Sequence, residues 1–242
     1  MSLKGKHVLI TGAARRVGRI MSLAVAQAGA TVIIHHGHSP DEAAEVQQAI
    51  QAMGSQAFIV QADLSDPGQA TRLVSEAATY GPLYALVNSA AIFESQTWET
   101  TDINAWNRHL GINLTAPFFL SQAFARSVSE TSEGRIVNIL DWRALRPGAD
   151  HLPYTVSKAA LAALTGSLAI ALAPRITVNA LAFGAILPPS PTANLERIIE
   201  PVPAKRWAQP EEVGQALVFL LDGPGYITGE ILHLDGGRHL IS

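Results

Sequence analysis

Short apolar runs rich in β-branched residues alternate along the chain with longer segments in which apolar residues recur every three or four positions. The short runs predict strands at residues 7–11, 31–35, 57–61, 83–87, 135–140, 176–181 and 231–234. The periodic segments predict helices at residues 17–28, 41–53, 67–79, 103–127, 155–173 and 210–221. Strands and helices therefore alternate over almost the whole sequence.

The predicted strands are apolar on both faces, which is typical of a parallel sheet covered by helices on both sides. We therefore predict an α/β protein with a Rossmann-type, doubly wound parallel sheet of about seven strands. We expect one domain over residues 1–242, with the Pro-rich stretch 187–191 in a substrate loop or lid near 184–205. Ligands of such sheets bind beyond the carboxyl ends of the strands.

Composition excludes several classes of protein. The 242 residues carry a net charge of −3, which gives no electrostatic case for nucleic-acid binding. The absence of cysteine excludes disulfides, thiolate metal sites and cysteine catalysis, and no histidine spacing indicates a metal site. The first residues carry no apolar signal segment, and we find no uninterrupted apolar stretch of transmembrane length. We expect a cytoplasmic protein without a membrane partner.

The turn after the first predicted strand has the composition of a phosphate-binding turn. It contains Gly12 and Gly18, with Arg16 where another glycine is common. Glycines let the backbone approach a pyrophosphate, and the following helix directs its amide groups toward it. Because the turn belongs to the first strand–helix unit, we predict dinucleotide binding there.

The end of the second strand favours NADP over NAD. An NAD site usually has an acidic residue there, whereas this chain has no acid until Asp41. Arg15 in the first turn is available for a 2′-phosphate, with His38 and Ser39 as further donors. We interpret His35 and His36 as part of a solvated loop.

Two polar residues follow later strands. Asp63 is a candidate acceptor from the adenine amino group, or a cap of the next helix. Asn88 is a candidate ligand of the adenosine ribose, or a residue that only closes a turn.

Tyr154 and Lys158 are four residues apart in a predicted helix and therefore share one face. A lysine ammonium about 4 Å from a phenol contributes roughly 4 kcal/mol at an effective dielectric of 20, before desolvation. We therefore expect Lys158 to lower the pKa of Tyr154, as a proton donor at neutral pH requires.

Asp141 lies thirteen positions before Tyr154. An ionised carboxylate there would repel the oxyanion that forms when a ketone is reduced, but would favour the positive charge that develops when a C=N bond is protonated. We therefore expect imine-type reduction. Two alternatives remain open: a protonated Asp141 that imitates a serine hydroxyl, and a loop aspartate that only caps backbone amides.

These motifs together resemble the short-chain dehydrogenase/reductase family over about residues 5–240. The matching segments are Thr11–Gly18, Asn88–Ala91, Asn113, the Tyr154/Lys158 pair, Asn179 and Leu234–Gly237. At Arg16, Asp141 and Phe93 the chain most resembles the pteridine reductases and the dihydromonapterin or dihydrofolate reductases of that family.

The resemblance implies further roles. Asn113 would join Tyr154, Lys158 and Asp141 as a catalytic residue, by anchoring a water to the lysine. Arg16, Phe93, Asp141 and Tyr154 would bind a pterin, which would stack on Phe93. The implied and inferred NADP contacts are Thr11, Gly12, Arg15, Arg16, Val17, Gly18, His38, Ser39, Asp63, Leu64, Asn88, Ser89, Ala90, Tyr154, Lys158 and Gly184. The family also commonly forms homotetramers through the helix at 155–173, which is rich in small residues.

Three functions are compatible with the sequence. The leading hypothesis is NADPH-dependent reduction of a pterin or a dihydrofolate-like small molecule. The second is NADPH-dependent reduction of a ketone or another carbonyl compound. The third is a non-catalytic NADP-binding sensor, which would have no need of a proton relay. No role follows from the sequence for Trp142 and Arg143.

Overall fold

All seven predicted strands form, and they form one parallel sheet. The computed structural model describes residues 3–188 and 195–241. The strands are β1 (His7–Ile10), β2 (Thr31–His36), β3 (Ala57–Gln61), β4 (Leu83–Asn88), β5 (Gly134–Asp141), β6 (Ile176–Phe183) and β7 (Ile231–Leu234). Their order is β3-β2-β1-β4-β5-β6-β7, with every neighbouring pair parallel. The predicted Rossmann-type fold is thereby confirmed.

Helices connect the strands and cover the sheet. They are α1 (Arg16–Gln27), α2 (Pro40–Ala52), α3 (Pro67–Ala77), α4 (Ile103–Leu110), α5 (Ala116–Ser127), α6 (Leu152–Leu172), α7 (Leu195–Ile199) and α8 (Pro210–Asp222). The helix predicted at 103–127 is α4 and α5 joined by a π-helical turn, Gly111–Thr115. The short α7 lies in the segment predicted as a loop or lid, of which residues 189–194 lie outside the described residues.

Alternate side chains of each strand enter different halves of the core. Val8 and Ile10 of β1 join one apolar cluster with residues of α1, α2 and α8, whereas Leu9 joins a second cluster with residues of α3, α5 and α6. Side chains alternate across a pleated strand, so a strand buried on both faces needs apolar residues at every position. This packing explains the continuous apolar runs of the sequence.

Helix α6 corrects one expectation from the sequence. It has 21 residues and a mean hydropathy of 1.5, so it is long and apolar enough to cross a membrane, although the sequence had shown us no such stretch. The helix contacts β5 and β6, however, and it carries Tyr154 and the buried Lys158. Its apolar character is therefore accounted for in part by packing on the sheet. It begins three residues earlier than predicted, after His151, which has left-handed backbone angles.

Candidate active site

The sheet order reverses between β1 and β4, and a cleft opens beyond the carboxyl ends of these strands. At such a reversal the connections from the two strands lead in opposite directions along the sheet, which leaves the usual ligand crevice of a doubly wound sheet. The cleft has a volume of about 540 Å³, within the range typical of small-molecule sites. It extends from His36–Ser39 at the end of β2, past Gly12 and Gly18, to Tyr154 and Lys158.

Most of the predicted site residues line this one cleft. They are Gly12, Arg15, Arg16, Val17, Gly18, His38, Ser39, Ser89, Ala90, Phe93, Asp141, Tyr154, Lys158 and Gly184. Sequence reasoning missed several further lining residues, which are Ala14, His36, Gly37, Ala91, Ile139, Leu140, Phe183, Ile186 and Leu187. Ile139 and Leu140 are among the last three residues of β5, and Phe183 ends β6, so their position near a carboxyl end was the signal that could have identified them.

The glycine-rich turn is held from below by His35. The imidazole Nδ1 accepts a hydrogen bond from the Gly12 amide at 3.1 Å, and Nε2 lies 3.1 Å from the Ala62 carbonyl oxygen. These partners require the neutral ring with its hydrogen on Nε2. Burial lowers the pKa of His35 to about 4. His35 and His36 are both buried in β2, so their interpretation as a solvated loop was wrong.

Thr11 and Arg16 fix the turn at its two ends. The Thr11 hydroxyl oxygen accepts hydrogen bonds from the amides of Ser89 and Ala90 at 2.9 and 3.0 Å, which joins β1 to β4. Arg16 has a φ of 51°, a left-handed conformation that favours glycine. Its guanidinium Nη2 donates to the Pro188 carbonyl oxygen at 2.9 Å, so the side chain connects the turn to the segment after β6.

Asn88 does not place its side chain in the cleft. The amide nitrogen donates to Asn138 Oδ1 at 2.8 Å and to Ser121 Oγ at 3.2 Å, in the buried interior. Asn138 in turn donates to Thr165 of α6 at 2.9 Å. This network holds the Asn88 side chain in the interior, and a contact between Asn88 and a ribose stays a prediction.

Asp63 does not cap helix α3. Its carboxylate accepts from the Ser65 amide at 2.9 Å, and this hydrogen bond holds the pKa of Asp63 below its usual value. The cap of α3 is Asp66, which accepts from the amides of Gly68 and Gln69. Asp63 and the buried Leu64 are not part of the cleft lining among the described residues.

Asn113 lies in the π-helical turn between α4 and α5. Its side chain accepts from the Ile92 amide at 2.9 Å and donates to the Ile92 carbonyl oxygen at 3.0 Å. It also donates to Ser157 Oγ at 3.1 Å, on the helix that carries Tyr154. Such turns insert one residue into a helix and are frequent at functional sites. In this structure Asn113 fixes the segment that leads to Phe93.

Phe93 lies between two aromatic neighbours. The ring of His151 stacks on it with centroids 4.0 Å apart, and the ring of Tyr154 meets it edge-on at 4.7 Å. His151 also bonds the Glu94 carbonyl oxygen through Nδ1 at 2.9 Å. Phe93 is still 48% exposed, so much of its apolar surface faces the cleft or solvent.

Tyr154 and Asp141 meet at the inner end of the cleft. The phenol hydroxyl donates to Asp141 Oδ2 at 3.4 Å, and Asp141 is the last residue of β5. Burial raises the pKa of Asp141, while the Arg143 amide and guanidinium and the Lys158 ammonium oppose this rise. Burial and the neighbouring Asp141 charge raise the pKa of Tyr154 well above its ordinary value.

Lys158 lies beside the Tyr154 ring, and its ammonium donates to the backbone of β5. Its ammonium lies 5.8 Å from the centroid of the Tyr154 ring and donates to the Ile139 carbonyl oxygen at 2.7 Å. Burial lowers the pKa of Lys158 to about 8, with the Asp141 charge opposing the change. The pKa of Tyr154 is raised by burial and the Asp141 charge, whereas the sequence led us to expect a lowered pKa.

Comparison with known proteins identifies the family. Residues 12–239 match the family model described as enoyl-(acyl carrier protein) reductase. A crystal structure of FolM alternative dihydrofolate reductase 1 from Brucella canis, complexed with NADP, superposes with a TM-score of 0.93 at 35% identity, covering 100% of this chain and 97% of that chain.

Two curated relatives have other names. A 3-oxoacyl-[acyl-carrier-protein] reductase of Synechocystis sp. is 31% identical over 241 residues, which cover 98% of both chains. A short-chain type dehydrogenase/reductase of Picea abies is 30% identical over 252 residues, which cover 98% of this chain and 93% of the relative. The chain belongs to the short-chain dehydrogenase/reductase family of oxidoreductases.

Proposed function

We propose that this protein is an NADPH-dependent reductase of a C=N bond in a pterin or dihydrofolate-like substrate. The observation that carries the proposal is the carboxylate of Asp141 within 3.4 Å of the Tyr154 hydroxyl, at the inner end of the cleft. Similarity to the Brucella dihydrofolate reductase, which was crystallised with NADP, supports the same reading.

The residues of the cleft fit a dinucleotide. The first turn of α1 borders the cleft, and its unpaired amides favour a pyrophosphate. No carboxylate ends β2, where an NAD site needs one, and Arg15 is 65% exposed at the same end of the cleft. Its ion pair with Glu42, at 3.5 Å, is exposed and weak, so a 2′-phosphate can replace it. When bound, NADPH supplies the hydride.

Tyr154 would deliver the proton. Its pKa lies well above the ordinary value, so the phenol keeps its hydrogen at neutral pH but is a weaker acid than a phenol whose pKa a lysine had lowered. A substrate nitrogen that accepts this hydrogen gains positive charge, which the adjacent Asp141 carboxylate stabilises. A ketone oxygen gains negative charge instead, and the same carboxylate would raise the barrier. The charge of Asp141 therefore decides which bond is reduced.

Phe93 and Arg16 would bind the heterocycle. The phenylalanine ring is half exposed and is held by His151 and Tyr154, which gives a fixed apolar surface for a flat ring. Arg16 also lines the cleft, at the start of α1, and its guanidinium can donate to both phosphate and substrate.

A second candidate function is the reduction of a ketone. Burial raises the pKa of Asp141, and a protonated carboxyl can donate a hydrogen bond to an oxyanion as a serine hydroxyl does. The name of the Synechocystis relative, a 3-oxoacyl-[acyl-carrier-protein] reductase, favours this alternative.

Substrate panels distinguish the two functions. NADPH oxidation is measured at one enzyme concentration with a dihydropterin, with dihydrofolate, and with a β-ketoester and a β-ketothioester. Our proposal predicts a kcat/KM for a dihydropterin or dihydrofolate far above that for either ketone. Turnover of ketones alone would remove the proposed function, and binding of NADPH without any turnover would revive the sensor.

We also propose a cytoplasmic homotetramer. The α6 face presents small residues and leaves Ile170 84% exposed, a surface suited to a second copy of the chain. Light scattering after size-exclusion chromatography is expected to give four times the chain mass of 25.7 kDa, and a monomer mass would contradict this.

A further inference from the structure

Arg143 contacts the carboxyl group of Asp141 from the side opposite Tyr154. The backbone amide of Arg143 donates to Asp141 Oδ1 at 2.9 Å, and its guanidinium Nη1 lies 3.7 Å from the same oxygen. The other oxygen, Oδ2, accepts from the Tyr154 hydroxyl. The two carboxylate oxygens therefore have different partners, and each partner restricts rotation of the group.

Neighbouring side chains hold the Arg143 guanidinium in place. Its Nη2 donates to Asp150 at 3.4 Å, and its Cζ lies 4.8 Å from the centroid of the Trp142 ring. The Trp142 ring also contacts Arg238 near the end of the chain, with Cζ 4.3 Å from the centroid. The Arg143 side chain is only 22% exposed, so its charge is poorly screened by water.

Arg143 is a separate element of the site. Arg143 is not among the described residues that line the cleft, whereas Asp141 and Tyr154 both line it. Asp150 connects this support to His151, whose Nε2 lies 3.7 Å from the Asp150 carboxylate, and His151 stacks on Phe93.

We propose that Arg143 is a positioning residue for the reduction, an inference that rests on the proposed function. It holds Asp141 ionised and turns Oδ2 toward Tyr154. The groups that face Asp141 are Arg143 on the turn after β5, and Tyr154 and Lys158 on α6. The neighbouring strand β6 places Phe183, which does not titrate, beside Asp141.

The balance of charges supports this role. Burial favours the neutral carboxyl, and Arg143 opposes it through both a hydrogen bond and its charge. Lys158 opposes it as well, but its own pKa of about 8 means that it loses charge in mildly alkaline solution. Arginine keeps its charge at every pH that an enzyme encounters. Arg143 is therefore the permanent cation beside Asp141.

The test is the titration of Asp141 in the chain without cofactor. The infrared band of the protonated carboxyl is isolated by subtracting the spectrum of Asp141→Asn, and its midpoint is measured in the parent chain, Arg143→Gln and Arg143→Lys. An opposite charge at this distance lowers a carboxyl pKa by about 1–3 units. Arg143→Gln is therefore expected to raise the midpoint by about 1–3 units, and Arg143→Lys by less than half of that change.

Arg146→Gln is the matched control. Arg146 is an exposed arginine three residues further on, and no ion pair of its side chain occurs among the described residues. It is expected to leave the midpoint unchanged. An equal midpoint in Arg143→Gln and the parent chain would overturn the proposal. If Arg143→Gln does not fold, Trp142→Leu, which removes the ring that holds the guanidinium, is expected to raise the midpoint by a smaller amount, and no rise would likewise overturn the proposal.

Kinetics add a second readout. In Arg143→Gln, the acid limb of kcat/KM for the dihydropterin is expected to move to higher pH by the same amount as the infrared midpoint, with the KM for NADPH unchanged. A uniform loss of kcat/KM at all pH values, without a shift, would indicate a structural role and contradict the proposal. Failure of the proposed function is distinguishable, because the infrared titration uses no substrate.

Discussion

The imidazole of His35 accepts a hydrogen bond from the amide of Gly12 at 3.1 Å, across 23 residues of sequence. The ring is buried at the end of β2 and lies beneath the turn that we propose binds the cofactor phosphates. Protonation of Nδ1 would remove the acceptor and place a charge in the interior. The shape of the turn therefore depends on a neutral histidine.

His35 should make the protein sensitive to acid. Its pKa is about 4 in the folded state and ordinarily 6.5, so the unfolded chain binds more protons than the folded chain as pH falls between these values. Stability is full above pH 6.5, and roughly 3 kcal/mol is lost on reaching pH 4. In urea unfolding, His35→Gln is expected to keep most of the free energy of unfolding that the parent chain loses over this pH range.

The exposed His38 provides the control for that experiment. His38→Gln is expected to keep the acid sensitivity of the parent chain. If parent and His35→Gln lose the same free energy of unfolding between pH 7 and pH 5, the buried ring is not the cause.

Burial of the charged Lys158 should lower the free energy of unfolding. Its pKa falls from 10.5 to about 8, so the folded state binds fewer protons than the unfolded state between these values and is destabilised below them, by roughly 3 kcal/mol. Lys158→Met removes this cost but leaves the Ile139 carbonyl oxygen without its donor, which costs about 1–3 kcal/mol. We expect the variant to be inactive but as stable as the parent at pH 7, or up to about 2 kcal/mol more stable.

The pH dependence of Lys158→Met provides the check. Any advantage over the parent is expected to shrink as pH rises from 8 toward 10.5, because the folded parent then holds a neutral lysine and no longer bears the cost of a buried charge. Unfolding measured by urea at pH 7 and pH 9.5 reports this difference. A variant that is several kcal/mol less stable at pH 7 would contradict the burial argument.

The backbone of Arg16 should be strained, whereas its side chain should contribute to ligand binding. A left-handed conformation costs a non-glycine residue about 1–2 kcal/mol, whereas glycine adopts it freely. Arg16→Gly is therefore expected to be about 1 kcal/mol more stable than Arg15→Gly, since Arg15 has an extended backbone with φ of −134°. Thermal unfolding compares the two.

The same Arg16→Gly variant should bind its ligands less well. Loss of the bond to Pro188 frees the segment after β6, and the KM values for NADPH and for the dihydropterin are expected to rise. Unchanged KM values would mean that the guanidinium serves neither ligand.

Arg15 should set the cofactor preference. A hydrogen bond to a charged group contributes about 1.5–3 kcal/mol, so Arg15→Ala is expected to raise the KM for NADPH about tenfold or more. The KM for NADH should stay constant, because NADH has no 2′-phosphate. Initial rates with both cofactors give this comparison, and an equal rise for both would disprove the assignment.

The sequence predicted the sheet because burial of a parallel strand on both faces leaves an unmistakable apolar run. It also predicted that Asp141 and Tyr154 would share one site, from the spacing of thirteen residues between them. The observed 3.4 Å between their oxygens agrees with that spacing argument.

The sequence could not decide the partner of a polar side chain that had two possible directions. Asn88 turns into the core toward Asn138, and Lys158 is directed toward Ile139 rather than the phenol. His35 was taken for a loop residue because its partners, Gly12 and Ala62, are distant in sequence. Periodicity gives the face of an element but not the hydrogen-bond partner that a polar side chain chooses there.

The charge requirement at Asp141 is tested most directly by kcat of Asp141→Ser, measured with saturating NADPH on a dihydropterin and on a β-ketoester. Our account predicts a loss of at least about 100-fold on the dihydropterin, the lower range for acid–base catalysis, with ketone turnover unchanged or increased. Dihydropterin turnover equal to that of the parent chain would contradict the account.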